Sequence, residues 1–142
     1  MGTRSLTVIN DDKDKEICVL YRQFDGYPEG NGKDLALFLS GFKVVNGFGV
    51  SDKNKIANGM NCLAAQIIAF FKKEVGGFYL YPAGTRNTGE EYTYFVKMKD
   101  GGLIIEVHEN EFSSDFAEHA DKLKLLFSGS PQEFLVYAKT LE

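Results

Sequence analysis

The sequence predicts an α+β domain, a mainly antiparallel sheet with about three helices, folded as one unit over residues 1–142. Two observations carry this. Short runs of alternating apolar residues are joined by tight polar turns, the pattern of antiparallel hairpins. Between and after them lie segments with apolar residues at i, i+3 and i+4, the stripe of a helix that buries one side.

Leu6, Val8 and Ile9 begin the first strand, Asn10 to Asp14 is a polar turn, and Glu16 to Arg22 is the second strand. A glycine-rich loop follows, then a short helix over about Asp34 to Ser40, stopped by Gly41. Phe42 to Val50 is apolar with two glycines and fits neither period. Ser51 to Asn54 are helix-starting residues, so the longest helix is expected over about Ile56 to Lys73, through Met60, Leu63, Ala64, Ile67, Ile68 and Phe71. Lysines at its C-terminal end suit the helix dipole, and Gly76-Gly77 ends it. Phe78 to Tyr81 is a short strand and Pro82 to Gly89 a loop. Tyr92 to Lys99 and Leu103 to His108 form a hairpin closed by Asp100-Gly101. Glu109 to Asp121 is acidic and irregular, anchored by Phe112 and Phe116. Leu123 to Phe127 is the last strand. Ser130-Pro131-Gln132-Glu133 is a capping box with proline at the first helical position, opening a helix that turns Phe134, Leu135 and Ala138 inward.

Composition narrows the function. A hydrophobic content of 44% and a charged content of 25% are those of a soluble globular domain. The net charge of −4 argues against long nucleic acid, which needs a basic face, but not against a small nucleotide. No apolar run reaches the length of a membrane span, and the first residues lack the apolar core of an export signal. Cys18 and Cys62 read as reduced core residues. His108 and His119 have no partner at metal-ligand spacing, so no metal and no cofactor are expected. There is no G-x-S-x-G, H-E-x-x-H or Walker pattern, and no catalytic set assembles; Glu90-Glu91 reads as solvated surface. The chain is equipped to hold something.

The candidate site residues lie in loops. Tyr21 to Gly32 carries the rings of Tyr21, Phe24 and Tyr27, the guanidinium of Arg22, the carboxylate of Asp25 and three glycines that let the backbone bend sharply. Only three of the 16 basic residues are arginine: Arg4, Arg22 and Arg86. Arginine differs from lysine in its fixed fork, which clamps phosphate or carboxylate and stacks on rings. The fork serves equally well in structural ion pairs. In a second loop, Tyr81, Arg86, Asn87 and Tyr92 would supply ring, clamp and amide. Asn61 lies near the start of the long helix, where backbone N–H groups favour an anion.

Four strings together, Met1 to Leu6, Tyr21 to Pro28, Asn58 to Gln66 and Tyr79 to Gly84, resemble successive motifs of the phage anti-Thoeris signal sponges, the first Thoeris anti-defence family. The resemblance covers residue 1 to about 96. Its most specific part is Arg22-Gln23-Phe24-Asp25-Gly26-Tyr27-Pro28. Where such proteins more often carry Pro-x-Gly-His-Gly, this chain has Asn31 before Gly32. The resemblance implies sequestration, without hydrolysis, of a cyclic ADP-ribose isomer made by a bacterial TIR-domain immune sensor, in the cytoplasm of the infected host. It implies Arg22 and Arg86 against phosphate, Phe24, Tyr27 and Tyr92 against base or ribose, and Arg4 as a clamp or a brace. It also implies a homodimer or higher homo-oligomer, and in some members a second site for cyclic oligonucleotide signals. The rival from another class is a phosphodiesterase or hydrolase that degrades the same signal; a third is a phage assembly or takeover protein with no small ligand.

Overall fold

The computed structural model describes residues 2–47, 55–112 and 122–142. Eight strands and three α-helices follow in the order β1 (Ser5–Asn10), β2 (Glu16–Arg22), a π-helical turn (Pro28–Gly32), α1 (Lys33–Leu39), β3 (Lys43–Val45), β4 (Ile56–Asn58), α2 (Gly59–Phe71), β5 (Phe78–Pro82), β6 (Tyr92–Lys99), β7 (Gly102–Glu111), β8 (Lys122–Gly129) and α3 (Pro131–Thr140). Six strands form one sheet in the order β5-β2-β1-β6-β7-β8, and β3 and β4 pair beside it. Every pairing in the large sheet is antiparallel except β1 with β6. The α+β class is therefore the observed one.

The helices all cover one face. Leu35, Ala36 and Leu39 of α1, Leu63 and Ile67 of α2, and Phe134 and Ala138 of α3 meet Ile9, Leu20, Tyr94, Val96, Ile105 and Val107 of the sheet. On the opposite face Leu6, Val8 and Val19 form a second, smaller cluster edged by Tyr21 and Phe95. Among the described residues no helix covers that cluster. It lies beneath the connection from β5 to β6. Those two strands run in the same direction, so the connection must cross β2 and β1, and residues 83–91 do so as a strap over the second face.

The long helix starts later than the periodicity suggests. Ile56–Asn58 is extended and pairs in parallel with Lys43–Val45, which also gives the unclassified apolar segment a role. Gly59, at φ 82°, turns the chain from strand into helix, a conformation glycine adopts without strain. Asn58 does not cap the helix; its side-chain oxygen accepts from the Gly47 amide at 2.7 Å. The helix-starting residues Ser51 to Asn54 and the anchor Phe116 fall outside the described residues. At the C-terminus the capping box forms: the Glu133 amide donates to Ser130 Oγ at 3.1 Å, and the Ser130 amide to Glu133 Oε1 at 2.8 Å.

Candidate functional site

The string from Tyr21 to Gly32 builds a tightly bonded bend at one end of the sheet. Asp25 takes φ 60°, a left-handed conformation that a short polar side chain tolerates. The Gly26 amide donates to Thr3 O at 2.9 Å, the Asn31 amide to Asp25 O at 2.8 Å, and the buried Tyr94 hydroxyl to Gly26 O at 2.6 Å. The glycines are not there for unusual dihedrals, since none of the three has a positive φ. They permit close approach. A Cβ on Gly26 would stand 2.8 Å from Ser5 Cβ, and one on Gly32 would stand 2.5 Å from Phe134 Cε1 and 2.7 Å from its Cζ. A Cβ on Gly30 would collide with the Asp25 carbonyl oxygen.

The three arginines are in different electrostatic positions. Arg22 faces the helix side, where its Nη1 donates to Asp34 Oδ2 at 2.8 Å and to Asn31 Oδ1 at 3.3 Å. Its guanidinium lies 5.1 Å from the Phe78 ring centroid. Asn31 is buried and passes the contact inward, donating to Thr7 Oγ1 at 3.2 Å. Arg86 lies on the strap and grips Glu16, Nη2 to Oε2 at 2.7 Å and Nη1 to Oε1 at 3.3 Å, with Phe95 beneath it. The Arg86 bond holds the Glu16 carboxyl below the ordinary carboxylate range, and the Gly84 amide contributes to the same effect. Arg4 lies against Gly89 of the strap and, among the described residues, makes no side-chain hydrogen bond or ion pair.

The other candidates divide by face. Tyr21 shares the strap face with Arg4 and Arg86, while Tyr92 packs with the helix-side core. Burial raises the Tyr92 phenol pKa, and the carboxylates of Glu109, Glu29 and Glu91 raise it further, so its surroundings are acidic. Phe24 is 50% and Tyr27 37% exposed at the end of the sheet. The Tyr27 hydroxyl donates to Asp25 Oδ1 at 3.2 Å, which raises its pKa. Asn87, at φ 63°, sits in the strap and gives its backbone amide to Glu90 at 3.3 Å. Asn61 is apart from all of these. It borders a cavity of about 710 Å³ with Asp12, Val44, Asn58, Met60 and Met98. A smaller hollow of about 360 Å³ lies between Phe24, Phe71, Val75 and Phe78.

Two contributions have no separate signal in the sequence. Glu90 is buried, and its carboxylate accepts from the Thr88 amide at 2.7 Å, Thr88 Oγ1 at 2.9 Å and Asn110 Nδ2 at 3.3 Å. It closes the strap and is not surface. Tyr79 and Tyr81 stand beside Tyr21 on the strap face, with ring centroids 6.0 Å and 6.2 Å away, because β5 pairs with β2 in register. Only Tyr81 of that pair is suggested by the loop composition. Among the described residues no three His, Cys, Asp or Glu side chains are grouped to hold a metal ion.

The fold and the site together define an α+β protein with one helix-covered sheet face and one strap-covered face ringed by tyrosines and arginines. Compared with known proteins, the chain matches no family model, no curated protein and no solved structure.

Proposed function

We propose that the protein is a phage anti-defence sponge. It binds a cyclic ADP-ribose isomer of the glyco-cyclic type, made by a bacterial TIR-domain sensor, and sequesters it without cleavage so that the Thoeris effector stays off. The observation that carries this reading is the gathering of exposed rings around the arginine-bearing end of the sheet. Phe24, Tyr27, Tyr79 and Tyr81 are exposed; Tyr27 lies within electrostatic reach of Arg22, and Tyr21, beside Tyr79 and Tyr81, within that of Arg4. Rings stack on a base and a guanidinium clamps a phosphate, and an acidic protein needs only local cations to hold one small dianion. The motif strings from Met1 to Gly84 support the same class of ligand. The reading includes a homo-oligomer, supported by the exposed side chains of Leu37 and Phe70 on the helix side.

A melting screen over cyclic ADP-ribose isomers, cyclic dinucleotides and cyclic trinucleotides tests the proposal, with light scattering of the same samples. At a ligand concentration one hundred times Kd the stabilisation is about 2.7 kcal/mol, a visible rise in Tm. We expect that rise with a cyclic ADP-ribose isomer and a mass above that of one chain. No shift with any nucleotide would leave the sponge without its ligand.

A further inference from the structure

We infer that the ligand's phosphate and ring are taken on the strap face of the sheet, by Arg4 and the tyrosine cluster of Tyr21, Tyr79 and Tyr81. This rests on the nucleotide-binding reading and assigns its site to residues other than Arg22 and Arg86. The ligand class is a planar base carrying one or two phosphates.

The electrostatics single out Arg4. Arg22 and Arg86 each face a carboxylate at 2.7–2.8 Å, and a ligand phosphate would have to displace it. Arg4 has no such competitor among the described residues. The strap's own carboxylate, Glu90, is engaged by Thr88 and Asn110, and its charge reaches the Tyr21 phenol as that of Arg4 does. Burial raises the Tyr21 phenol pKa and the Arg4 charge opposes that rise, so guanidinium and ring lie within electrostatic reach of each other. A cation beside rings, with no ion pair among the described residues of a protein of net charge −4, is the arrangement a phosphate would complete.

Strand register supplies the platform. Tyr21 pairs with Tyr79 and Val19 with Tyr81, so the three rings share one face at the open edge of the sheet. Tyr79 is 45% and Tyr81 37% exposed, and Lys72 Nζ stands 5.5 Å from the Tyr79 ring centroid as a second cation at the platform. Leu80, between them, points to the other face. The strap stands beside the platform as a wall, fixed by Arg86 to Glu16 and by Glu90 to Asn110. Stacking on such rings tolerates any base, while the guanidinium demands the phosphate.

The test uses the full chain, cyclic ADP-ribose and its glyco-cyclic isomer as probes, and two readouts. Calorimetry gives affinity for the parent, Arg4→Ala, Arg4→Lys and the Tyr79→Leu/Tyr81→Leu double variant, with Lys99→Ala as control. The chain has no tryptophan, so its intrinsic emission comes from tyrosine, and a base stacked on the cluster quenches it. We expect Arg4→Ala to weaken binding about tenfold to a hundredfold, Arg4→Lys to recover part of it, and saturating ligand still to quench Arg4→Ala. The double tyrosine variant should bind more weakly and lose most of the quench. Among the described residues Arg4 has no internal side-chain hydrogen bond or ion pair, so its variants should melt like the parent. If the parent binds and these variants bind and quench alike, the site lies elsewhere while the sponge reading stands. If the parent binds neither probe, both readings fall together.

Discussion

Close approach, not backbone freedom, explains the glycines of the Tyr21–Gly32 string. From the sequence the glycines are expected to let the backbone bend sharply, yet the residue at positive φ there is Asp25. Gly32 has an ordinary helical backbone and sits where the rings of Phe134 and Tyr94 leave no space for a methyl. The expectation failed because its cause is non-local: Phe134 comes from the last helix and no window around Gly32 contains it. Gly32→Ala should therefore destabilise by about 1–3 kcal/mol through overpacking, read as a lower Tm or denaturation midpoint. With free space the same change would stabilise the chain by about 0.4–1 kcal/mol, so a more stable variant would show that the contact is slack. The arginines carry the same lesson. Their scarcity marked them as special, but the sequence could not say that Asp34 and Glu16 would occupy two of the three.

Among the elements, the strap between β5 and β6 links the fold to the site. It is pinned at Glu16 by Arg86 and at Asn110 by Glu90. The Glu16 pKa is lowered in the folded protein, chiefly by Arg86, so its contribution is present above the ordinary glutamate range and is lost as pH falls through the lower folded value. The pair is partly exposed, which limits it to about 1 kcal/mol or less at neutral pH. We expect the parent to melt above Glu16→Gln at pH 7 and the gap to close below about pH 4, the region where glutamate protonates. Protection factors of the amides in residues 83–91, corrected for the intrinsic pH dependence of exchange, should fall over the same interval. A gap that widens on acidification would mean that Glu16 does not pin the strap as an anion.

Hairpins and capping were legible at this scale because their determinants are local. Glu16–Arg22 and Tyr92–Lys99 were bounded by turn residues, and Ser130 with Glu133 wrote out the start of α3. The parallel pairing of β1 with β6 was not legible, since nothing short of the whole sheet decides which strands become neighbours. The strap's position over Leu6, Val8 and Val19 follows from that pairing, and so does the meeting of Arg4 with Gly89. Asn61, expected at an anion-favouring helix start, does lie at the start of α2, where the fold sets it beside a cavity apart from the loop residues.

For the whole molecule, the division of labour is by face. Three helices supply the main core on one side, and the other side is left to a strap, a small apolar cluster and exposed rings. Among the described residues no helix is long and apolar enough to cross a membrane. A sponge must match its signal mole for mole and return it chemically unchanged, whereas a hydrolase needs only trace amounts and returns a product. The most direct measurement loads the protein with glyco-cyclic ADP-ribose, removes free ligand, denatures the complex by heat and identifies the released nucleotide by mass spectrometry. The account predicts intact cyclic ligand at a fixed molar ratio to the chain, still able to activate the Thoeris effector. Linear or cleaved nucleotide, accumulating with time beyond that ratio, would contradict it.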